Sequence, residues 1–434
     1  MSPRPQLFPR TPSAAWLHEG FEHIWMPYTQ MRTAPLPEAA VATEGTRIIL
    51  ADGRQLIDGM SSWWSACHGY NHPHIFDAIT AQAETMPHVM LAGMGNEAAF
   101  TLAQRLAEMA PGDLSRVFFS ESGSVSVEVA MKMAAQFWLN QGVAGRDTFL
   151  CFKGAYHGDT IAAMSVGDPD DGIHGRFHGL MPSQHRVALP RDGEARNRFE
   201  AYVTEHAGSI AAVIVEPLVQ GAGGMIFHDT DTLKAVAEVC DNHGVLLILD
   251  EIMTGLGRLG TMFACEQAGI APDIMTLSKS LTGGTLPLAA TIANGRVFEA
   301  FLDDDLYKAL MHGPTFSGNA LACAAANASL DLFESEPRLQ QIKAIEAHLL
   351  SGLEPCRGVK STWGNVIDVR VRGAIGVVEL DAIGDMNGLR TRLIDEECWI
   401  RPFGNIVYLM PAFTIGDDNL AALTDTVVKV IGET

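Results

Sequence analysis

The chain has 434 residues, of which 47% are hydrophobic and 19% charged, and this length and composition are typical of a folded protein with two domains. Its formal net charge of −21 argues against nucleic acid or an anionic membrane surface as a partner and leaves small molecules as the expected ligands. Its 7 cysteines show no CxxC spacing, and no apolar run approaches the roughly 18 residues of a membrane span, so we expect reduced thiols in the cytoplasm.

Strands and helices alternate through most of the chain. The segment RIILADGRQLIDGM predicts a hairpin around Asp52-Gly53, and the apolar spacing from about 78 to 110 predicts helix. The strands RVFFS, TFLCF, AAVIVEP and VLLILDE then alternate with helices, among them 199–206 and 231–243. This rhythm predicts a mostly parallel sheet covered on both faces, and therefore the α/β fold class.

The remainder of the chain changes character. After Asn319 an alanine-rich helix leads to a second helix that ends near Leu353, and the last strands and helices form an α+β segment. We expect this segment to fold beside the strands at the amino end. The predicted domains are a large one at 66–334 and a small one built from 1–65 and 335–434.

An acid and a lysine mark the carboxyl edge of the predicted sheet. Asp250 ends the apolar strand 245–249, and Lys279 follows the predicted strand 274–277 after one crossover. Open α/β sheets bind ligands at this edge. Pyridoxal phosphate chemistry needs this pair, because the lysine forms a Schiff base with the cofactor and the carboxylate keeps the pyridine nitrogen protonated. The alternative is two unrelated surface residues, but Lys279 is flanked by serines and followed by glycines, unlike a solvated helix surface.

Two loops could complete such a cofactor site. The turn Ser122-Gly123-Ser124 precedes a helix, where backbone N–H groups, hydroxyls and the helix dipole attract a phosphate. The alternative is an ordinary helix cap in which Glu128 completes a capping box. Tyr156 in GAYHGDT could stack on a planar ring, or it could pack its own loop together with His157.

Other polar and aromatic positions allow two interpretations each. Trp63 and Trp64 follow a strand, and on an extended segment one would point inward and the other away. Thr315 in MHGPTF could cap the next helix or donate to a phosphate, and Arg401 in CWIRPFGN could clamp a carboxylate or be a surface charge. The histidines of HGYNHPH lack an accompanying acidic cluster, so we predict no metal site.

The motifs together resemble one known family along nearly the whole chain. They are IWMPYTQM, MSSWWSACHGYNHP, SGSVSVEVAMKMA, YHGDT, VEPLVQGAGGM, DEIMTGLGRLG, SKSLTGG, MHGPTF and IRPFGN. The pattern of the acid and the lysine resembles that of the class III, fold-type I pyridoxal 5′-phosphate-dependent aminotransferases. This resemblance implies a mostly parallel seven-stranded sheet. The SSWW, WxPY, VQGAGGM and HGPTF segments are similar to the branch of biotin biosynthesis. Its members convert 8-amino-7-oxononanoate to 7,8-diaminononanoate, usually with S-adenosylmethionine as the amino donor.

The resemblance implies a role for each residue of the cofactor site. Lys279 would form the Schiff base and carry the proton, and Asp250 would pair with the pyridinium nitrogen. Tyr156 would stack on the ring, and Gly123 and Ser124 would hold the phosphate.

Residues further out fall on the substrate and dimer positions of the family. Pro314 and Thr315 would reach the phosphate of the neighbouring subunit's cofactor, which implies an obligatory homodimer. Arg401 would take a substrate carboxylate, and Arg258 would lie near the substrate. The remaining substrate positions are Tyr28, Trp63, Tyr156 and Gly313.

The chain departs from the family pattern at Leu91, Leu256, Leu259, Ser317 and Ala412. None of these belongs to the cofactor set, but several border the substrate tunnel. The donor therefore stays open between S-adenosylmethionine and lysine, and the nearest alternative is a generic class III ω-aminotransferase for ornithine, aminobutyrate or a polyamine. A phosphate- or dinucleotide-binding protein without catalysis is a further alternative, although the chain lacks a G-x-G-x-x-G opening with its downstream acid.

Overall fold

The computed structural model describes residues 14–168 and 173–434. Its strands, in chain order, are β1 Ala40–Glu44, β2 Arg47–Leu50, β3 Gln55–Asp58, β4 Leu114–Ser120, β5 Thr148–Phe152, β6 His185–Val187, β7 Ile210–Val215, β8 Val219–Gln220, β9 Ile226–Phe227, β10 Leu246–Asp250, β11 Ile274–Leu277, β12 Ala289–Asn294, β13 Lys360–Ser361, β14 Gly364–Arg372, β15 Ile375–Leu380, β16 Cys398–Trp399 and β17 Ile406–Leu409. Its right-handed α-helices are α1 Ala15–Phe21, α2 Pro73–Thr85, α3 Glu97–Met109, α4 Gly123–Asn140, α5 Ile161–Ser165, α6 Gly193–His206, α7 Thr230–His243, α8 Gly295–Glu299, α9 Ala320–Ser335, α10 Arg338–Leu353, α11 Met386–Asp395 and α12 Asp417–Ile431. Short 3-10 segments occupy Gly175–Leu180, Ala264–Ala268, Lys279–Thr282, Leu306–Lys308 and Glu354–Cys356.

The largest sheet has seven strands in the order β4-β12-β11-β10-β7-β5-β6. Strands β11, β10, β7, β5 and β6 pair in parallel, whereas β12 runs antiparallel to both of its neighbours. All of β10 is buried: Leu247 and Leu249 belong to the apolar cluster on one face, and Leu246 and Ile248 to the cluster on the other. The predicted α/β fold with a mostly parallel seven-stranded sheet is confirmed.

The two ends of the chain meet in smaller sheets. β16 pairs in parallel with β3 and so extends the hairpin sheet β1-β2-β3. β13, β14, β15 and β17 form a separate antiparallel sheet. A third apolar cluster joins Ile57 of β3 to α10, α11 and α12. The domain boundaries at 65 and 334 stay predictions.

The predicted helix at 78–110 is wrong in one respect, because it is divided into α2 and α3. Pro87, Gly93 and Gly95 lie in the interval between the two helices, and proline and glycine are poor helix formers. The hairpin around Asp52-Gly53 is confirmed, since β2 and β3 pair in antiparallel fashion.

The segment Ser61–Trp64, expected to be extended, instead forms a single turn in which every residue has a positive φ, from 46° at Ser61 to 74° at Trp64. Such a left-handed backbone costs of order 1–2 kcal/mol for each residue other than glycine, so tertiary contacts must hold it. The expected division of the tryptophan pair is confirmed, because Trp64 is 5% exposed and Trp63 is 42% exposed.

The seven cysteines all lie in the interior and none forms a disulfide. Among the helices within residues 14–168 and 173–434, none combines the length and the apolar character needed to cross a lipid bilayer.

Candidate active site

Several strand ends meet at the carboxyl edge of the large sheet. β10 ends at Asp250, β11 is followed by Lys279, β7 is followed by Glu216, and the loop after β5 carries Tyr156. The parallel register places Asp250 beside Thr276 of β11. The structure therefore brings the acid and the lysine to one edge, because parallel strands present their carboxyl ends on the same side.

Asp250 is a buried carboxylate with three hydrogen-bond partners. Its Oδ2 lies 2.7 Å from His157 Nδ1, and its Oδ1 accepts hydrogen bonds from the Ile252 amide at 3.1 Å and the Thr276 hydroxyl at 3.3 Å. Burial disfavours a charged imidazole, but the hydrogen bond and the charge of Asp250 outweigh it and raise the pKa of His157. The arrangement favours a protonated His157 beside the Asp250 carboxylate.

Glu216 is a second buried carboxylate on the same edge. Its Oε2 accepts a hydrogen bond from the Tyr156 amide at 3.1 Å, and its Oε1 accepts one from the Gly221 amide at 2.8 Å. Burial raises the pKa of Glu216 to about 7, although the neighbouring His157 acts in the opposite direction. Glu216 thereby fixes the start of the loop that carries Tyr156.

Lys279 has a left-handed backbone, with φ of 42°, at the start of a short 3-10 segment. Its Nζ lies 4.7 Å from the centre of the Trp64 ring. Burial lowers the pKa of the amine, and the carboxylates of Asp250, Glu216 and Asp159 only partly oppose this effect. An amine that releases its proton more readily can act as a nucleophile and as a proton carrier.

Helix α4 begins at the turn that was predicted to bind an anion. Ser122 caps the helix through its side chain, and Gly123 and Ser124 line a cavity that also contains Asp250. The capping box expected as the alternative is absent, because Glu128 accepts a hydrogen bond from the Ala162 amide at 2.9 Å instead. The positive end of an 18-residue helix therefore opens into the cavity.

The loop after β5 packs closely against the start of α4. Gly158 has φ of 129°, and a Cβ at this position would lie 2.3 Å from Ser124 Oγ. The same hydroxyl oxygen accepts a hydrogen bond from the Asp159 amide at 2.9 Å. Only glycine fits at position 158 without displacing the serine.

The site side chains enclose two adjoining cavities. The inner cavity, of about 170 Å³, contains Lys279, Asp250 and the amino end of α4. The outer cavity, of about 440 Å³, extends from Lys279 past Tyr156 to Arg401. Its volume lies in the usual range for small-molecule sites. The residues common to both cavities are Trp64, Tyr156, Ala222 and Lys279.

Asp159 organises one wall of the outer cavity. Its Oδ1 accepts hydrogen bonds from the Tyr28 hydroxyl at 2.5 Å and the Tyr156 hydroxyl at 2.9 Å, and it lies 2.9 Å from His174 Nε2. The rings of His174 and Tyr156 stack with their centroids 5.6 Å apart. Burial and the hydrogen bond to Asp159 raise the pKa of Tyr28 to about 12, so this hydroxyl stays a donor at neutral pH.

Arg401 forms the opposite wall. Its guanidinium carbon lies 5.0 Å from the centre of the Trp63 ring, and Tyr28 meets the same ring edge-on at 6.0 Å between centroids. Arg390 lines the cavity beside it, and burial followed by the charge of Arg401 lowers the pKa of Arg390. Two guanidinium groups on one wall suit a ligand that carries a carboxylate.

Some predicted site residues line neither cavity. Arg258 is fully buried, donates a hydrogen bond to the Pro411 carbonyl at 2.8 Å and lies 4.5 Å from the centre of the Phe413 ring. Burial lowers the pKa of Arg258 to about 10. Residues 313–315 form part of a loop before α9, with Gly313 and Thr315 exposed. The roles expected for these residues stay predictions.

The chain matches a described protein family over most of its length. The family description "Aminotransferase class-III" matches residues 28–431. The chain belongs to the class III aminotransferases. Two similar proteins are both named adenosylmethionine-8-amino-7-oxononanoate aminotransferase. The one from Mycobacterium leprae is 42% identical over 94% of this chain and 95% of the relative, and the one from Corynebacterium glutamicum is 41% identical over 92% and 95%.

Solved aminotransferase structures have the same fold. The enzyme described as adenosylmethionine-8-amino-7-oxononanoate aminotransferase from Methanocaldococcus jannaschii superposes with a TM-score of 0.90, at 33% identity over 96% of this chain and 98% of that one. An amine transaminase from an uncultivated Pseudomonas species, solved in its PLP-bound form, superposes with a TM-score of 0.85 at 32% identity over 94% and 98%.

The site of this class III aminotransferase includes residues that the sequence prediction missed. Glu216 ends an apolar strand just as Asp250 does, so the segment AAVIVEP already carried that signal. His157 and Asp159 lie in the same GAYHGDT loop as Tyr156. His174 and Arg390 lie at no strand end and have no local signal. The residues to which the sequence assigned no site role are Trp64, His157, Asp159, Glu216 and Arg390, which line the cavities, and His174, which contacts Asp159.

Proposed function

We propose that this enzyme transfers an amino group to 8-amino-7-oxononanoate and forms 7,8-diaminononanoate, with S-adenosylmethionine as the donor, in biotin biosynthesis. The observation that carries the proposal is the Lys279 amine and the Asp250 carboxylate at one cavity, with Arg401 in the adjoining one. The names of relatives at 42% and 41% identity support the choice of substrates.

The residues of the inner cavity fit pyridoxal 5′-phosphate in their chemistry. Lys279, Asp250 and the amino end of α4 would hold its carbonyl carbon, its ring nitrogen and its phosphate. The cradle is tight at Gly123, where a Cβ would lie 3.0 Å from Ile252 Cδ1, and at Gly158. When bound, this cofactor supplies an electron sink that lets a hydrogen leave the carbon beside the reacting nitrogen as a proton.

Lys279 has two tasks in the proposed reaction. Its Nζ would hold the cofactor and would also move a proton to and from the reacting carbon of the substrate. Burial suits the amine to the second task, because the lowered pKa favours the neutral form that can accept a proton.

Asp250 has to stay ionised throughout the cycle. The donors from Ile252 and Thr276 and the contact with His157 stabilise a carboxylate that is buried from solvent. A neutral residue at this position would leave a ring nitrogen without its counter-charge, so the proton at the reacting carbon would be harder to remove.

Arg401 is proposed to bind the carboxylate of each substrate in turn. S-adenosylmethionine and 8-amino-7-oxononanoate both carry a carboxylate, and both visit the same outer cavity in the two half-reactions. Tyr28, Trp63 and Tyr156 would form the walls around the rest of the substrate. Arg390 adds a second positive charge to the wall.

We further propose that the active form is a homodimer. Thr315 lies exposed on a surface loop together with Met311 and Phe316, which are 56% and 53% exposed. A partner subunit would cover these apolar side chains. Pro314 and Thr315 would then reach the phosphate bound by that partner.

A cytoplasmic location is also proposed. The 7 cysteines are all unpaired thiols, as expected in a reducing compartment. The net charge of −21 continues to disfavour nucleic acid and anionic membranes as partners.

Complementation and a donor assay test the proposed reaction. Expression of the chain should restore growth of a biotin auxotroph that lacks this aminotransferase, and purified enzyme should form 7,8-diaminononanoate with S-adenosylmethionine. A generic ω-aminotransferase is the competing function, since an omega-transaminase from Thermomicrobium roseum superposes with a TM-score of 0.88 at 28% identity. Turnover of ornithine, aminobutyrate or a polyamine without complementation would favour the generic ω-aminotransferase. Formation of 7,8-diaminononanoate with lysine but not with S-adenosylmethionine would identify lysine as the donor.

A further inference from the structure

Four consecutive residues beside the site have a backbone that L-amino acids rarely adopt. Ser61, Ser62, Trp63 and Trp64 have φ values of 46°, 48°, 62° and 74°. Glycine, which would relieve the strain, is absent from the segment. A strained backbone of this kind persists only where surrounding contacts hold it, and it concentrates at functional sites.

The carboxylate of Asp58, at the end of β3, supplies such contacts. Its Oδ1 accepts a hydrogen bond from the Met60 amide at 2.7 Å, and its Oδ2 accepts one from the Ser62 amide at 2.8 Å. The Tyr70 hydroxyl donates to the same Oδ2 at 2.6 Å. Asp58 is only 2% exposed, so these donors take the place of water around its carboxylate. The carboxylate thus ties the start of the turn to its middle.

The turn places one tryptophan beside Arg401 and the other beside Lys279. Trp63 lies between Arg401 and Tyr28 on the wall of the outer cavity. Trp64 points inward, where its ring faces the Lys279 amine and its Nε1 donates to the Tyr408 hydroxyl at 3.2 Å.

We propose that Asp58 is a positioning residue for catalysis. By holding the left-handed turn, it places Trp63 against the carboxylate-binding Arg401 and Trp64 against the amine of Lys279. Asp58 itself lines neither cavity. The part that concerns Trp63 rests on the proposed function, whereas the part that concerns Trp64 requires only that Lys279 holds the cofactor.

The first test is the variant Asp58→Asn, which keeps the size of the side chain but replaces one acceptor oxygen by a donor. Calorimetry with the holoenzyme in the absence of donor should give a Kd for 8-amino-7-oxononanoate that is about tenfold higher, as expected when one hydrogen bond to a charged group is lost. KM for this substrate should rise in parallel, while kcat changes less than about threefold.

A spectroscopic measurement independently tests the part of the proposal that concerns Trp64. The ring face favours a protonated nitrogen at Lys279, so its displacement should lower the midpoint of the pH titration of the visible cofactor absorbance. Asp52→Asn is the control, because Asp52 is an exposed aspartate in the β2–β3 hairpin and its replacement should leave the midpoint, Kd and KM unchanged.

A second substitution distinguishes a positioning role from a general loss of stability. Glycine adopts positive φ without strain, so adding Ser62→Gly to Asp58→Asn should return Kd, KM and the titration midpoint toward the wild-type values. Adding Ser62→Ala also removes the hydroxyl but keeps the strain, and it should not restore them. If Asp58→Asn does not fold, Tyr70→Phe removes one donor and should shift the same quantities in the same direction by a smaller factor.

Two results would overturn the proposal. One is an Asp58→Asn variant whose Kd, KM and titration midpoint match the wild type. The other is equal restoration by Ser62→Ala and Ser62→Gly, since the backbone conformation would then not matter. A wild-type enzyme that neither binds nor converts 8-amino-7-oxononanoate would refute the proposed function instead, and the absorbance titration would still decide the part that concerns Trp64.

Discussion

In the proposed reaction Lys279 has to act as a neutral amine and Asp250 as a carboxylate, and the surroundings of both side chains suit these forms. Burial lowers the pKa of the Lys279 amine, whereas hydrogen bonds from Ile252 and Thr276 favour the ionised form of Asp250. Glu216, on the same edge, has its pKa raised to about 7 by burial. Two ionisable side chains at this edge, Lys279 and Glu216, thus have pKa values shifted by burial, which is the pattern expected of an acid–base site.

Arg401→Ala should weaken the binding of both substrates to a similar extent. If one guanidinium binds the carboxylate in each half-reaction, its loss should raise the Kd of donor and acceptor by a similar factor of about tenfold or more. Separate half-reaction titrations, followed by cofactor absorbance, measure the two values. Arg390→Ala is the matched comparison on the same wall, and a defect of Arg401→Ala confined to one substrate would refute a shared clamp.

Glu216→Gln should flatten the dependence of stability on pH. Because burial raises the pKa of Glu216 from 4.5 to about 7, the folded protein keeps a proton that the unfolded chain loses over this interval. The wild-type free energy of unfolding should therefore fall as pH rises between these values, by at most about 1.4 kcal/mol per pH unit from this group. Denaturant unfolding of the cofactor-free protein across that interval measures the slope, and an unchanged slope in the variant would assign it to other groups.

From the sequence, the chemistry of single residues was easier to predict than the side chains that contact them. Asp250 and Lys279 could be recognised because each lies at the carboxyl end of a mostly apolar strand, and position at a strand end is a local property. His174 could not, since it follows no strand end and its contact with Asp159 is visible only in the three-dimensional structure. Arg390 likewise could not, because it lies within α11, shortly before Arg401, and no strand end marks it.

At the scale of elements, the site is an assembly of loops on a rigid sheet. The buried strands β7 and β10 fix the positions of their carboxyl ends, and the loop after β5 is held against α4 by the Ser124 hydroxyl. Apolar runs made these strands predictable. The turn at Ser61–Trp64 was not predictable, because its positive φ values depend on contacts with Asp58 and carry no glycine signal in the sequence.

Gly158→Ala should move the loop after β5 away from the start of α4. A Cβ there would lie 2.3 Å from Ser124 Oγ, so the amino end of α4 or the loop has to move. Affinity for pyridoxal 5′-phosphate should fall about tenfold or more, as measured by absorbance titration of the cofactor-free protein. Gly179→Ala is the control, since nothing lies within 4 Å of its Cβ, and equal affinities for the two variants would contradict the proposed phosphate site.

At the scale of the whole molecule, the proposed homodimer would add a residue to each site. The inner cavity contains the lysine, the acid and a helix end, but Thr315 lies exposed on a separate loop. The apolar side chains exposed around it, Met311 and Phe316, are those that a second subunit would cover. A dimer in which each subunit completes the other's site explains both features.

Hybrid dimers test this sharing of sites. Lys279→Ala should be inactive, and Thr315→Ala should bind the cofactor more weakly. When the two variants are mixed and allowed to exchange subunits, one site of each hybrid dimer should carry both defects and the other should carry neither. Wild-type cofactor affinity should therefore reappear in a fraction of the sites. No recovery after verified exchange would place Thr315 in its own subunit's site or outside any site.

The most direct test of the central claim is the first half-reaction, followed by the visible absorbance of the purified holoenzyme. On mixing with S-adenosylmethionine, the band of the cofactor bound to Lys279 should disappear, and addition of 8-amino-7-oxononanoate should restore it with formation of one equivalent of 7,8-diaminononanoate. Lys279→Ala, prepared in the same way, should show neither the band nor the product. A band that persists with S-adenosylmethionine but disappears with a simple ω-amine, or a Lys279→Ala variant that keeps the wild-type band, would contradict the account.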